Sequence, residues 1–199
     1  MAPSTDRDLV ERARGGDSDA FGILVRRHQK RIFRLALHLV RTGAEAEDVT
    51  QETFVRAYQA LARFDGRSEP FTWIYRICVN LSLNHIRSRK SQRISNPVDA
   101  ESMGGGRLES FLIEDRPSSA RDPATATEER EMAKALLEGI DALSETLRTT
   151  LILVCVDGLG HDEASKVLGC PEGTVAWRVH EARRKLREHL RVRGFGGEA

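Results

Sequence analysis

His161–Leu190 reads HDEASKVLGCPEGTVAWRVHEARRKLREHL. It divides at Gly169-Cys170-Pro171 into a short helical pattern, HDEASKVL, and a longer one, EGTVAWRVHEARRKLREHL. Ser165 is small enough for two helices to approach closely there. Gly169 suits the positive φ of a tight turn. Pro171 suits the start of a helix, where its missing N–H costs little. Leu168, Val175 and Val179 are placed to pack the pair, while Arg178, Arg183, Arg184 and Lys185 lie on or beside the outer face. This layout fits a helix-turn-helix, in which the first turns of the second helix enter a DNA major groove. A plain αα-hairpin with a solvated basic helix stays open as the weaker alternative.

The rest of the chain is also patterned for helices. Phe21, Leu24, Val25, His28, Ile32, Leu35, Ala36 and Leu39 step by three and four residues, with Asp17 and Ser18 as caps. Arg26, Arg27, Lys30, Arg31 and Arg34 lie on the opposite face. A second helix is expected from about Ala44 to Leu61, with Val49, Thr53, Ala57, Tyr58 and Leu61 inward. RFDGRSEP, Arg63 to Pro70, has the composition of a loop. A third helix is expected over Thr72–Lys90, on a stripe of Phe71, Ile74, Cys78, Leu81 and His85. Periodicity fails from Ser91 to about Thr127, where Gly104-Gly105-Gly106, Pro97, Pro117 and Pro123 stand, and this stretch reads as a flexible linker. Its one apolar patch is Phe111-Leu112-Ile113. The pattern resumes with Met132, Leu136, Ile140 and Leu143. Ser144 then caps a stripe of Leu147, Leu151 and Val154, which Asp157-Gly158-Leu159-Gly160 breaks. Convincing period-two alternation is missing throughout. The expected fold is all-α: two small helical domains, 8–90 and 129–193, joined by a linker over 91–128, with the helix-turn-helix in the second.

The 199 residues carry a net charge of only +1, but unevenly. Residues 1–90 hold 16 Lys and Arg against 11 Asp and Glu, and 172–193 hold 7 against 3. The segments between are acidic. Basic stretches of this kind can hold a polyanion on a nearly neutral chain. The longest apolar run, Leu151 to Val156, is far short of the roughly 20 residues of a membrane span. The first residues alternate acids and arginines and have no apolar core of a secretory signal. Cys78, Cys155 and Cys170 are too widely spaced for a disulfide scaffold or a CxxC site, so a reducing cytosol is expected.

Two further faces are candidates for function. Glu45, Asp48 and Glu52 share one side of the second helix, with Arg56 partly offsetting the Asp48/Glu52 repulsion. The face suits a basic partner protein, although taken alone a merely solvated surface is the stronger reading. On the third helix Arg76, Asn80, Asn84 and Arg87 share a polar face, Arg89-Lys90 extend it, and Trp73 and Tyr75 lie close by. Aromatics beside Asn and Arg suit stacked, unpaired bases. An ordinary amphipathic helix remains the alternative. No catalytic set is visible. His28 and His85 fall on core stripes, His161 lacks a second histidine at metal-ligand spacing, and no Ser or Cys stands in an activated-nucleophile motif. No enzyme activity, metal or cofactor is expected.

Three segments in order carry a family resemblance. EAEDVTQETFVRAYQALARF, PFTWIYRICVNLSLNHIRSRK and GLGHDEASKVLGCPEGTVAWRVHEARRKLREHL resemble the core-binding helix, the promoter-melting helix and the C-terminal helix-turn-helix of bacterial RNA polymerase sigma factors. The group resembled is the extracytoplasmic-function one, the small two-domain members of the sigma-70 family. The resemblance covers about residues 8–90 and 129–191. It implies that Asp48, Gln51 and Glu52 dock on core RNA polymerase. It implies that the first domain melts promoter DNA and holds one strand of the downstream element, using Phe64, Asp65, Arg67, Ser68, Arg76, Asn80, Asn84 and Arg87. It implies that the second reads the upstream element as duplex, using Thr174, Trp177, Arg178, His180, Glu181, Arg183 and Arg184. It also implies an anti-sigma partner, often membrane-bound. The chain departs from the family pattern at Ala164-Ser165, at Trp177, and at Glu181, where a base is usual. A glutamate there repels phosphate but can accept from cytosine N4. The linker is longer than usual for the group. Two other readings stay open: a sigma-like mimic that titrates an anti-sigma factor, and a helix-turn-helix regulator independent of polymerase.

Overall fold

The computed structural model describes residues 4–95 and 123–195, with side chains described over 4–92 and 128–195. These residues form two units, each built from helices, and no strand occurs among them.

In the first unit, α1 spans Asp6–Arg14, α2 Ser18–Val40, α3 Gly43–Ala60 and α4 Pro70–Ser95, with one 3₁₀ turn at Leu61–Arg63. The first three starts are capped from the sequence. Thr5 and Asp8 form a reciprocal capping box, in which the Asp8 N–H donates to Thr5 Oγ1 at 3.2 Å and the Thr5 N–H to Asp8 Oδ2 at 3.0 Å. Asp17 accepts from the Ala20 N–H at 3.0 Å, and Thr42 from the Glu45 N–H at 3.4 Å. Helix α2 is the central element and packs against α1, α3 and α4. Its buried Leu24, Ile32, Leu35, Ala36 and Leu39 meet Ile74, Tyr75, Cys78 and Val79 of α4 and Val49, Thr53 and Ala57 of α3 in the core. The Thr53 hydroxyl is satisfied in place, donating to the Val49 carbonyl at 2.7 Å.

Three sequence expectations change here. Helix α1 was not foreseen; it adds Leu9, Val10 and Ala13 to the core and is tied by Asp6, which pairs with Arg27 and accepts from His28 Nε2 at 2.6 Å. Tyr58, expected inward, is 51% exposed, because Ala57 beside it takes the core-facing direction. Helix α4 continues to Ser95, and the next helix begins at Pro123, so both ends of the expected linker are helical. The Phe111-Leu112-Ile113 patch lies outside the described residues.

The second unit holds α5 at Pro123–Ala142, α6 at Glu145–Leu151, a π-helical turn at Ile152–Val156, the first five residues of α7 (His161–Leu168), and α8 at Glu172–Val192, while Lys166–Gly169 group with the first unit. Ser144 caps α6, accepting from the Leu147 N–H at 3.5 Å. Leu143, Leu147 and Leu151 pack on Ala182 and Leu186 of α8, with Ile140 against them. Gly139 is the close-approach point of α5 on α8. A Cβ there would lie 2.9 Å from His189 Cδ2 and 3.0 Å from Leu186 Cδ2.

Leu9 is fully buried although α1 is short and highly charged. Leu9→Ala is expected to lower stability by about 3 kcal/mol, in the range for deletion of a buried leucine. The urea midpoint should fall with the m-value unchanged; a midpoint within error of the parent would show that α1 contributes nothing to the first unit.

Candidate nucleic-acid interface

Helix α3 buries Val49, Thr53 and Ala57 and leaves Asp48, Gln51 and Glu52 exposed on the other side. Glu52 is paired one turn on, where Arg56 Nη2 and Nε donate to its Oε1 at 2.6 and 2.9 Å. Glu45, expected on this face, is elsewhere. Its side chain is 14% exposed and forms a clasp to α4, with His85 Nε2 at 3.1 Å and Arg89 Nη1 at 3.0 Å, and it accepts from the Thr42 hydroxyl at 2.8 Å. Burial works against the Glu45 carboxylate, but hydrogen bonds from Thr42 and His85 and the Arg89 charge outweigh it and hold the carboxyl below its ordinary value. His85 is therefore a partly exposed polar partner of Glu45 rather than the core residue its spacing suggested. The outer face of α3 has an apolar part that sequence reasoning missed. Val55 and Tyr58 are each about half exposed and, with Phe21, Phe54 and Gln59, line a depression of about 310 Å³.

Helix α4 carries the expected polar face, with Arg76, Asn80, Asn84 and Arg87 all exposed. The loop before it is shaped by local chemistry. Asp65 Oδ1 accepts from the Arg67 N–H at 3.0 Å, Gly66 takes φ +70°, and the Arg67 side chain projects almost fully into solvent. Ser68 is half-buried. Phe64 is withdrawn from the surface. It is 6% exposed and its ring lies 4.9 Å from that of Trp73, so it supports the loop from beneath. Of the two aromatics expected beside the polar face, Trp73 is half-buried and Tyr75 is fully buried. Phe71 lies 4.2 Å from Tyr75 and carries the Arg31 guanidinium 4.2 Å from its ring centre.

In the second unit, α7 ends at Leu168, Gly169 takes φ +64°, and the Cys170 N–H donates to the Ser165 carbonyl at 3.2 Å. Pro171 caps α8 without a side-chain hydrogen bond, and its carbonyl accepts from the Thr174 N–H at 2.9 Å. This is the helix–turn–helix path expected from the sequence. Val175, Val179, Ala182 and Leu186 turn inward. Thr174, Trp177, Arg178, Glu181 and Arg184 turn away from them, with Trp177 62% exposed. Arg178 Nη1 donates to Cys170 Sγ at 3.5 Å, which holds that guanidinium near the turn. His180 and Arg183 depart from the grouping expected. They line a separate groove of about 600 Å³ with Val179, Leu186 and Leu190, on another flank of α8, and Arg183 also donates to Cys155 Sγ at 3.2 Å. Glu181 is clamped: Arg184 donates from Nε to its Oε2 and from Nη2 to its Oε1, both at 2.8 Å. The hydrogen bonds from Arg184 keep the Glu181 carboxyl below its ordinary range. Among the described residues no group of three His, Cys, Asp or Glu side chains is arranged to hold a metal ion, and no helix is long and apolar enough to cross a membrane.

Comparison with known proteins gives these faces a common setting. Residues 24–92 match the family model for Sigma-70 region 2, and residues 133–186 that for Sigma-70, region 4. The chain is 36% identical over 190 residues to the RNA polymerase sigma-H factor of Pseudomonas aeruginosa, covering 96% of each. It is 35% identical over 182 residues to the ECF RNA polymerase sigma-E factor of Escherichia coli, covering 92% of each. Among solved structures it is similar to CnrH in complex with the cytosolic domain of CnrY, with a TM-score of 0.64 at 25% identity over 95% of this chain and 99% of that one. It is also similar to the sigma factor RpoE in complex with the anti-sigma factor NepR from Bartonella quintana, with a TM-score of 0.61 at 25% identity over 86% and 97%.

The Glu45 clasp gives a pH prediction. Its carboxyl titrates lower in the folded chain than when unfolded, so its contribution is present above the ordinary value of 4.5 and is lost as pH falls through the folded value. Glu45→Gln should therefore flatten the loss of urea stability below about pH 4.5. An acid limb identical to the parent's would remove Glu45 from the clasp.

Proposed function

Because the chain belongs to the sigma-70 family, in its extracytoplasmic-function group, we infer that it binds core RNA polymerase and directs promoter-specific initiation of transcription. The observation that carries this is the occurrence of both matched regions, in order, on one chain with both outer faces intact. Its role is that of an initiation factor; the chemistry of RNA synthesis belongs to the polymerase.

The division of labour follows from the faces. Asp48, Gln51 and Glu52 on α3 dock on a basic surface of the polymerase. The polar strip of α4 (Arg76, Asn80, Asn84 and Arg87), with Asp65, Arg67 and Ser68 of the preceding loop, holds one strand of the downstream element once it is separated. Extruding a base costs a few kcal/mol, and amide groups at Asn80 and Asn84 offset this by hydrogen bonding to base edges. Phe64 acts through the loop it underpins. The residues Thr174, Trp177, Arg178 and Arg184 on α8 face the major groove of the upstream element, while His180 and Arg183 suit phosphates at its margin. Arginine and lysine on both units supply phosphate attraction, so promoter binding weakens steeply with salt. One of the similar structures holds a sigma factor, RpoE, in complex with the anti-sigma factor NepR, and an anti-sigma factor is accordingly the regulator expected here.

Run-off transcription with purified core polymerase tests the whole reading. Transcripts should depend on this chain and on particular promoter sequences; a promoter-independent or absent signal would overturn it. Charge reversal by Asp48→Lys with Glu52→Lys should weaken core binding by at least about tenfold without altering the helical spectrum. Asn80→Ala should reduce permanganate reactivity of the downstream element about fivefold, the worth of one hydrogen bond, while upstream duplex binding is unchanged. Unchanged footprints would remove Asn80 from strand holding.

A further inference from the structure

Thr174, Trp177 and Glu181 stand three and four residues apart on α8, which places them on one strip of its outer face. Trp177 exposes most of its indole, so its ring contributes little to the core. Glu181 would by itself be a poor residue in a DNA-facing strip, because a bare carboxylate repels phosphate. Here both of its oxygens are engaged by Arg184, Nε to Oε2 and Nη2 to Oε1 at 2.8 Å each. The Glu181 side chain is 20% exposed and that of Arg184 57% exposed, so the carboxylate is the sheltered partner and the guanidinium the presented one.

The direction of this pairing matters. Glu181 lies one turn nearer the start of the helix than Arg184, and a turn is about 5.4 Å. The ion pair therefore draws the guanidinium back toward the half of α8 that enters a groove. It also consumes the side edge of the guanidinium, Nε and one hydrogen of Nη2. The end edge, Nη1 and the remaining hydrogen of Nη2, points away from the carboxylate. Those two donors form the fork that matches guanine O6 and N7. The fixed carboxylate also removes part of the rotamer freedom that a lone arginine loses on binding.

We propose that Glu181 is a positioning residue that orients Arg184 to read a guanine in the upstream promoter element, and that Trp177 beside it makes apolar contact with a thymine methyl group. This rests on the reading of α8 as the duplex-reading helix. It differs from direct acceptance by Glu181 from cytosine N4, since here the base contact belongs to Arg184.

The test is run-off transcription by core polymerase with the full chain, on a promoter library randomised across the upstream element, for the parent, Arg184→Ala, Arg184→Lys, Glu181→Ala and Trp177→Ala. Arg184→Ala should abolish a guanine preference of about tenfold at one position, and Arg184→Lys should abolish it too, since lysine keeps the charge but not the fork. Glu181→Ala should weaken the same preference several-fold at the same position. Trp177→Ala should relax a thymine preference elsewhere in the element. A uniform fall in transcription across the library for Arg184→Ala, with every base preference retained, would make Arg184 a phosphate contact and overturn the proposal. So would loss of a cytosine preference in Glu181→Ala that Arg184→Ala preserves. If the parent itself gives no polymerase-dependent transcript, the sigma-factor reading fails; if it does and only the preferences stay fixed, this inference alone fails.

Discussion

Adjacent residues on each recognition helix are committed to opposite tasks. On α3, Val49 is core and Asp48 is surface; on α8, Val175 and Val179 are core while Thr174 and Arg178 turn outward. Neither unit has the bulk to enclose a site, because small domains bury too small a fraction of their surface. Recognition therefore falls to the outside of helices whose inside is already fixed. The rigidity of each outer face is inherited from the packing beneath it: Leu143, Leu147 and Leu151 against Ala182 and Leu186 hold α8, and the α2 core holds α3 and α4. A core substitution at Val49 or Val175 consequently acts on function without touching a partner.

The helices themselves were legible because their apolar residues recur at 3.6-residue spacing over long runs, as in Phe21 to Leu39. Features depending on distant partners were not. Glu45 is placed by His85 and Arg89, forty or more residues away, and no local pattern marks it as different from Asp48. Phe64 stands in a stretch of loop composition, and nothing local reports that Trp73 packs against its ring. Helix α1 was hidden by composition. Its nine residues include six charges, and only Leu9, Val10 and Ala13 report an inner face. Tyr58 was assigned inward because it adjoins Ala57, and periodicity cannot choose between neighbours near the edge of a stripe; burial chose the smaller one. The Glu181–Arg184 contact, by contrast, is an i,i+3 pair that spacing alone allows.

Near-neutrality overall and strong local charge are compatible because many acids are used internally. Asp6 pairs with Arg27 and His28, Asp17 with Arg12, Glu69 with Arg7, and Glu181 with Arg184. Most of these pairs are exposed, and pairs of that kind add little to stability. Their larger effect is on what remains to be seen by a partner. Pairing Glu181 with Arg184 leaves Arg178, Arg183, Lys185 and Arg187 to set the sign of the potential along α8, and pairing Glu52 with Arg56 leaves Glu47 and Asp48 to do so on α3. Local sign, rather than the net charge of +1, governs approach to nucleic acid or to a basic protein surface.

Two small units also constrain how selectivity arises. On the proposed reading each offers a few exposed side chains to its part of a promoter, and a single arginine fork or amide contact distinguishes bases by only about 1–3 kcal/mol. A short strip on α8 and another on α4 therefore give modest discrimination when acting alone. Joined in one chain, the second contact becomes intramolecular once the first is made, and the two discriminations multiply instead of competing. The gain requires that neither unit bind DNA tightly by itself, since strong phosphate attraction would hold the chain on any sequence. On the proposed reading of α8, the Glu181 carboxylate held by Arg184 serves that requirement: it lowers indiscriminate phosphate attraction while orienting a guanidinium that a particular base can match.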